Sequence, residues 1–269
     1  MNKLESVFLQ TVTRCNARCV ICPYKDTYAK NKGTKHGSMS IQLYRKILND
    51  LTKDYEGEIG FYFQYEPLTD NRLPRFLRLA KQYCPKARTS ISTNCSLLDD
   101  LWIKRLIDSK SLDYVYFNIL GGTKETFEKM MPPLNWEKSI SNLNNFAEQF
   151  NGKMFINFMK TDENKDEIDS LRKVVNKKVG IITEYWASNR GGSISINKPK
   201  DSKTRYSKEH GSCIPLRKRI YVLFDGIVPL CCQCWEREVV IGDVSKQNLY
   251  KIFNSKKKHT KYDICKNCY

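Results

Sequence analysis

The hydrophobic period of this chain switches between two and about 3.6 again and again, and that alternation limits the fold more than any single motif. Leu4 to Thr13 alternates as a strand, and Ser40 then caps an apolar helical stripe of Ile41, Tyr44, Ile47, Leu48 and Leu51. Glu58 to Gln64, Arg88 to Ser92, Leu112 to Ile119, Lys153 to Met159 and Val179 to Trp186 read as further strands. Between them, Arg72 to Tyr83, Leu98 to Ser109, Thr123 to Met131, Trp136 to Phe150 and Lys165 to Asn176 read as helices, with Pro132-Pro133 breaking the fourth interval. Six strand-helix alternations emerge, the last strand without a clear helix behind it. Such units imply parallel strands with right-handed crossovers, closing into a barrel or lying in an open sheet. In either form the loops after the strands carry function, and Cys15, Glu66, Thr93, Asn94, Asn118 and Arg190 all fall there, at one mouth.

A chain of 269 residues can bury a sizeable core without disulfides, so its 11 cysteines need another reason. The start, Met1 to Glu5, lacks the apolar stretch of a secretory signal, and no apolar run is long enough for a membrane span. A reducing, cytoplasmic location and no membrane partner are expected, and there clustered cysteines serve as metal ligands or redox groups. The net charge of +17, from 46 Lys+Arg against 29 Asp+Glu, would suit a polyanion. The lysines are spread along the whole chain without a nucleic-acid module, so nucleic acid is not the favoured partner.

Gly191 to Gly211 is polar and lysine-rich and marks a boundary, giving units 1–190 and 212–269 joined by a linker, 191–211. Beyond it, Arg219 to Phe224, the Asp225-Gly226 turn and Ile227 to Cys231 read as a β-hairpin, and Leu249 to Phe253 as a short helix. Cysteines bracket this unit: Cys213 and Cys231 around the hairpin, then Cys265 and Cys268. Four cysteines in two pairs can hold an iron-sulfur cluster or structural zinc, and Cys232 or Cys234 could stand in for Cys231. Cys84 and Cys95 read as packed thiols.

Cys15, Cys19 and Cys22 place three thiolates within eight residues of one loop. Three ligands can hold three irons of a four-iron cube and leave the fourth open to a substrate group. A zinc site would want a fourth ligand, and His36 is the histidine nearest in sequence.

C-x3-C-x2-C after the first strand of a β/α series resembles the radical S-adenosylmethionine superfamily, over nearly the whole chain. That resemblance implies an α/β fold, a partial (β/α)6 TIM-like barrel followed by a small hairpin-and-helix domain for an auxiliary cluster. It implies S-adenosylmethionine bound to a 4Fe-4S cluster on Cys15, Cys19 and Cys22, cleaved reductively to a 5'-deoxyadenosyl radical that takes hydrogen from substrate. Glu66 and Pro67 match the family's glycine-glutamate-proline segment, which contacts the methionyl amino group, with Tyr65 in the glycine's place. Thr93 and Asn94 match a threonine-asparagine-glycine segment, with Cys95 for the glycine, and Ile21 stands where an aromatic residue's backbone commonly meets the adenine, so Ile21, Tyr65, Glu66, Thr93, Asn94 and, at the end of the fourth strand, Asn118 are the expected cofactor-binding residues.

The C-x12-G-x4-C and C-x2-C pattern resembles the short twitch form of the family's SPASM extension, which implies one further 4Fe-4S cluster on Cys213, Cys231, Cys265 and Cys268. The Ser188 to Gly192 segment is similar to that of the family's small cyclitol dehydrogenases, where an arginine holds substrate and the auxiliary cluster accepts an electron; here that is Arg190. The expected function is a two-electron oxidation of a sugar- or cyclitol-like small molecule, with a flavodoxin or ferredoxin as electron donor. Radical modification of a peptide or nucleotide, and a non-enzymatic iron-sulfur or zinc protein that binds nucleic acid, are the alternatives.

Overall fold

The fold is that of a computed structural model, which describes residues 3–28, 36–180, 182–197, 213–256, 262–266 and 268. Of the expected linker, residues 198–211 lie outside the described residues. The first unit runs β1 (Ser6–Leu9), α1 (Tyr24–Thr27), α2 (Ile41–Leu51), β2 (Glu58–Phe61), α3 (Leu73–Tyr83), β3 (Arg88–Thr93), α4 (Asp100–Asp108) and β4 (Tyr114–Asn118). It continues with α5 (Lys124–Met130), α6 (Trp136–Gln149), β5 (Lys153–Lys160), α7 (Ile168–Val174) and β6 (Ile182–Trp186). The C-terminal unit holds α8 (Ile214–Lys218), β7 (Arg219–Val222), β8 (Ile227–Pro229), β9 (Val240–Asp243), α9 (Leu249–Asn254) and α10 (Asp263–Lys266).

Local chemistry sets the helix starts. Ser40, Asp99, Thr123 and Asn135 each accept a backbone N–H of the first turn through the side chain, satisfying a donor that the helix itself leaves free. Helix α2 then buries Tyr44, Ile47, Leu48 and Leu51 against the sheet, where Tyr44 meets Phe76 of α3 edge-on at 4.7 Å between ring centres. Each such side chain contributes about 1.5–3 kcal/mol by leaving water.

All seven strands of the main sheet are parallel, in the order β6-β5-β4-β3-β2-β1-β7. Phe8, Ser92, Asn118, Asn157, Tyr185 and Tyr221, from six of these strands, line one cavity, so the sheet curls around it as an incomplete barrel. The expected α/β barrel is therefore present.

The C-terminal unit differs from the hairpin read in the sequence. Arg219–Val222 joins β1 in parallel, with Ser6 opposite Arg219 and Leu9 opposite Val222, while β8 pairs antiparallel with β9. The reason is burial. Ile220, Tyr221 and Val222 are at most 4% exposed, so both faces of β7 are covered, as in a sheet interior. The turn at Asp225 and Gly226, the latter at φ +90°, still reverses the chain, but it sends β8 away from the barrel sheet. Among the described residues no helix is long and apolar enough to cross a membrane.

Candidate active site

A cavity of about 270 Å³ opens where the strands end, with Cys15, Cys19 and Cys22 and, from the second group, Cys232 at its wall. Its first fixed point is Glu66. Strand β2 stops at Phe61 rather than at Gln64, where the backbone turns to φ +60°. Glu66 is 3% exposed and accepts three hydrogen bonds: from Thr93 Oγ1 at 2.7 Å, from the Asn94 amide at 3.0 Å and from the Leu68 amide at 3.2 Å. Burial pushes its carboxyl up to about 7, although those three donors favour the ionised form.

Asn94 extends this network to the cysteine loop. Its Nδ2 donates to Asn16 Oδ1 at 3.0 Å, and its Oδ1 accepts from the Ser96 hydroxyl at 2.7 Å. Cys95, beside it, is fully buried at φ +66°, a left-handed conformation that suits glycine best. The Tyr65 side chain is buried, its hydroxyl accepting from Thr11 Oγ1 at 3.3 Å.

The loop carrying Cys15, Cys19 and Cys22 is clamped from two sides. The amides of Arg18 and Val20 donate to Pro132 O at 2.6 Å and Met130 O at 2.9 Å, beyond and at the end of α5. The Cys15 amide donates to the Tyr24 hydroxyl at 2.9 Å, which itself donates to Thr13 O at 3.0 Å. All three cysteines line the cavity. Burial raises each thiol, Cys15 to about 12, with Glu66 adding to the rise there and Arg190 opposing it at Cys22. These sulfurs are therefore neutral until a metal takes the proton's place, as coordination does outright. Three soft donors, half-buried, backbone-clamped and lining one cavity, fit a three-cysteine cluster with an open iron.

In the same cavity, a polar row crosses the sheet. Asn118 Nδ2 donates to Ser92 Oγ at 2.8 Å, and Asn157 Nδ2 donates to Asn118 Oδ1 at 3.3 Å. Arg190, at φ +52° in a short 3-10 turn, enters from the end of β6. Its Nε donates to Ile21 O at 3.4 Å and its Nη2 lies 3.6 Å from Met159 Sδ. Ile21 itself is 4% exposed.

The second cysteine group gathers around an apolar cluster of Phe8, Phe63, Leu216, Tyr221, Leu223 and Leu230. Cys231 and Cys234 are buried in it, and Cys213, Cys232 and Cys265 pack against it. Cys268 is raised to about 12 by burial and by Cys213, Cys232 and Cys265 nearby, so these chain-distant thiols converge. The Cys231 sulfur accepts from the Gln233 amide at 3.5 Å, whereas Cys232 lines the cavity. The donor set and its apolar surround fit an iron-sulfur group. Among the described residues, no three His, Cys, Asp or Glu side chains stand close enough to hold a single ion.

Asn16, Ser92, Asn157 and Trp235 are site residues that sequence reading passes over. Asn157 carries a usable signal: it is a polar residue inside the apolar run Lys153–Lys160, in register with Asn118. Trp235 carries none, since only the fold brings it to the cavity.

Comparison with known proteins agrees with this geometry. A model of the radical SAM superfamily matches residues 9–175, and one of an iron-sulfur cluster-binding domain, SPASM, matches residues 213–269. The S-adenosyl-L-methionine-dependent 2-deoxy-scyllo-inosamine dehydrogenase of Niallia circulans is 25% identical over all of this chain and 94% of its own length. A cofactor-modifying protein for tungsten-containing aldehyde ferredoxin oxidoreductase from Pyrococcus furiosus is 30% identical over 43% of this chain and 31% of its own. Among solved structures, BtrN in complex with AdoMet and 2-DOIA superposes with a TM-score of 0.67 at 23% identity, covering 100% of this chain and 94% of that one. Streptococcus suis SuiB bound to its precursor peptide SuiA gives 0.74 at 13% identity, over 94% of this chain and 65% of that one. The first matched domain brings with it S-adenosylmethionine and a 4Fe-4S cluster, the second an auxiliary iron-sulfur cluster. With well over half its length matched, its sheet parallel and its cysteines at the mouth, this chain belongs to the radical SAM superfamily and carries a SPASM-type domain.

Proposed function

We propose that this chain is an oxidoreductase that removes two electrons from a hydroxyl-bearing carbon of a sugar- or cyclitol-like molecule. The observation that carries this reading is the shared cavity: Cys15, Cys19 and Cys22 line it together with Cys232 of the second group and the Ser92-Asn118-Asn157 row. Held by Cys15, Cys19 and Cys22, the first cluster with S-adenosylmethionine would supply a carbon radical able to take a hydrogen atom, the substrate hydroxyl would give its proton to solvent, and an auxiliary cluster on Cys213, Cys231, Cys265 and Cys268 would supply an acceptor for the second electron.

The chain's own residues bind and orient. Glu66 receives the methionyl ammonium, with Thr93 and the Asn94 amide fixing its carboxylate. The Ile21 backbone meets the adenine, and Tyr65 packs the loop that carries Glu66. Arg190 presents several donors in a fixed planar array to a substrate oxygen. Asn118 and Asn157, each both donor and acceptor, suit a polyol, and Tyr62, Tyr185, Trp186 and Tyr221 give the cavity largely apolar walls.

Anaerobic protein with about eight irons, as two all-cysteine cubes require, should release 5'-deoxyadenosine on reduction with dithionite in the presence of S-adenosylmethionine. With 2-deoxy-scyllo-inosamine or a related cyclitol it should yield the ketone. Intact clusters without 5'-deoxyadenosine would sink the radical reading. Reaction of a peptide in place of every cyclitol would sink the substrate class.

A further inference from the structure

Two residues past the end of α9, the Lys256 amide donates to Phe253 O at 3.4 Å, and its side chain lies over the Phe253 ring with Nζ 5.6 Å from the ring centre. The ammonium reaches the junction of α8 and β7, where it donates to Arg219 O at 2.5 Å. Cys213 caps the start of α8 and Arg219 its end, so this five-residue helix carries a cysteine of the second group at one end and the Lys256 cation at the other. Strand β7 then places Tyr221 in the apolar cluster that holds Cys231 and Cys234.

Among the described residues no carboxylate pairs with this half-buried side chain. Burial pushes its ammonium down to about 8, and the neighbours that favour its charge are the sulfurs of Cys231, Cys213, Cys232 and Cys234. At Cys213, where burial raises the thiol, Lys256 and Arg219 both act to lower it. The Arg219 carbonyl satisfies one of three ammonium donors and leaves the charge without a counter-ion. Coordination deprotonates a thiol outright, so iron and sulfide bound to these cysteines would give Lys256 an anionic neighbour.

We propose that Lys256 is a positioning residue that sets the electron affinity of the auxiliary cluster, its ammonium offsetting the negative charge that an iron-sulfur group on the second cysteine group gains with an electron. This rests on the reading of Cys213, Cys231, Cys265 and Cys268 as that cluster's ligands, and it holds for any substrate radical that gives up an electron there. Net charge around a cluster is one of the levers on its reduction potential. Lys256 keeps its own proton throughout. The electron comes from the substrate radical and the proton from the substrate hydroxyl.

The test is a redox titration of the two-cluster enzyme followed by electron paramagnetic resonance, with S-adenosylmethionine added to mark the signal of the first cluster. Lys256→Met should lower the ratio of reduced to oxidised auxiliary cluster at fixed potential by about tenfold, or about 59 mV for a one-electron couple, the order expected for loss of one nearby unit charge at an intermediate dielectric. Lys256→Gln, which can still donate to a carbonyl, should shift the ratio as Lys256→Met does and guards against misfolding. Lys256→Arg, which keeps the charge, should stay near wild type. The first cluster's potential should not move in any of them. An unchanged auxiliary potential in either iron-loaded neutral variant overturns the proposal, leaving Lys256 a structural cap on α8, and so does an equal shift in both clusters. A wild type that holds about four irons rather than the eight of two all-cysteine cubes overturns the ligand reading and this assignment with it.

Discussion

The Asn94 amide donates to Glu66 Oε2 at 3.0 Å, tying the loop after β2 to the loop after β3 across a fully covered carboxylate. That bond places an acidic group where water cannot help it ionise. Its consequences can be measured.

Glu66 has a carboxyl pKa of about 7 in the folded chain against 4.5 ordinarily, with burial the cause. Between those values the folded protein keeps a proton that the unfolded chain has lost. This group's contribution to stability is therefore present below pH 4.5 and lost as pH rises through about 7. Thermal melting without S-adenosylmethionine should show that decline, and Glu66→Gln should flatten it. Glu66→Gln should also weaken S-adenosylmethionine binding by about tenfold to a hundredfold, the value of a charge-assisted hydrogen bond, as read by equilibrium binding.

For the auxiliary group, Cys265→Ala and Cys268→Ala are each expected to remove about half the iron, since one of two equal cubes would be lost. Cys231→Ala should match them and Cys232→Ala should not. Iron and sulfide analysis decides it, and the reverse pattern would give the fourth position to Cys232, which faces the cavity.

Arg190→Lys should lower the ratio of oxidised product to 5'-deoxyadenosine by about tenfold, because a lysine cannot reproduce a planar array of donors. Its Nε contact with Ile21 O would go as well. Quantifying both products from the same reaction mixture distinguishes this from a general loss of activity, which would leave the ratio unchanged.

Tyr28 accepts from Gln10 Nε2 at 3.2 Å and donates to Gln64 Oε1 at 2.9 Å, all three side chains being buried. Tyr28→Phe takes the partner from Gln10 Nε2 and from Gln64 Oε1 and should cost about 1–3 kcal/mol. A denaturation midpoint unchanged from wild type would show that the amides find other partners.

The legible parts of this molecule were those with local causes. A cap and a 3.6-residue stripe specify α2 from its own sequence, and the C-x3-C-x2-C loop carries its metal chemistry within eight residues. Glu66, Thr93 and Asn94 were visible as strand-end residues, and the structure adds that they are one hydrogen-bonded unit. What the chain hides is pairing at a distance. Arg219–Val222 alternates no differently from a hairpin strand, and its choice of β1 over β8 depends on an edge some two hundred residues earlier. Trp235 and Asn157 likewise become site residues only when the sheet curls.

The place of β7 beside β1 has a further meaning. Ser6 to Leu9 delivers the chain to the cysteine loop, and Arg219 to Val222, hydrogen-bonded alongside it, follows directly from Cys213 and α8. The two cysteine groups thus hang from neighbouring strands of one sheet. A change that lengthened the linker would leave their separation untouched, while a slip of one residue between β1 and β7 would alter it.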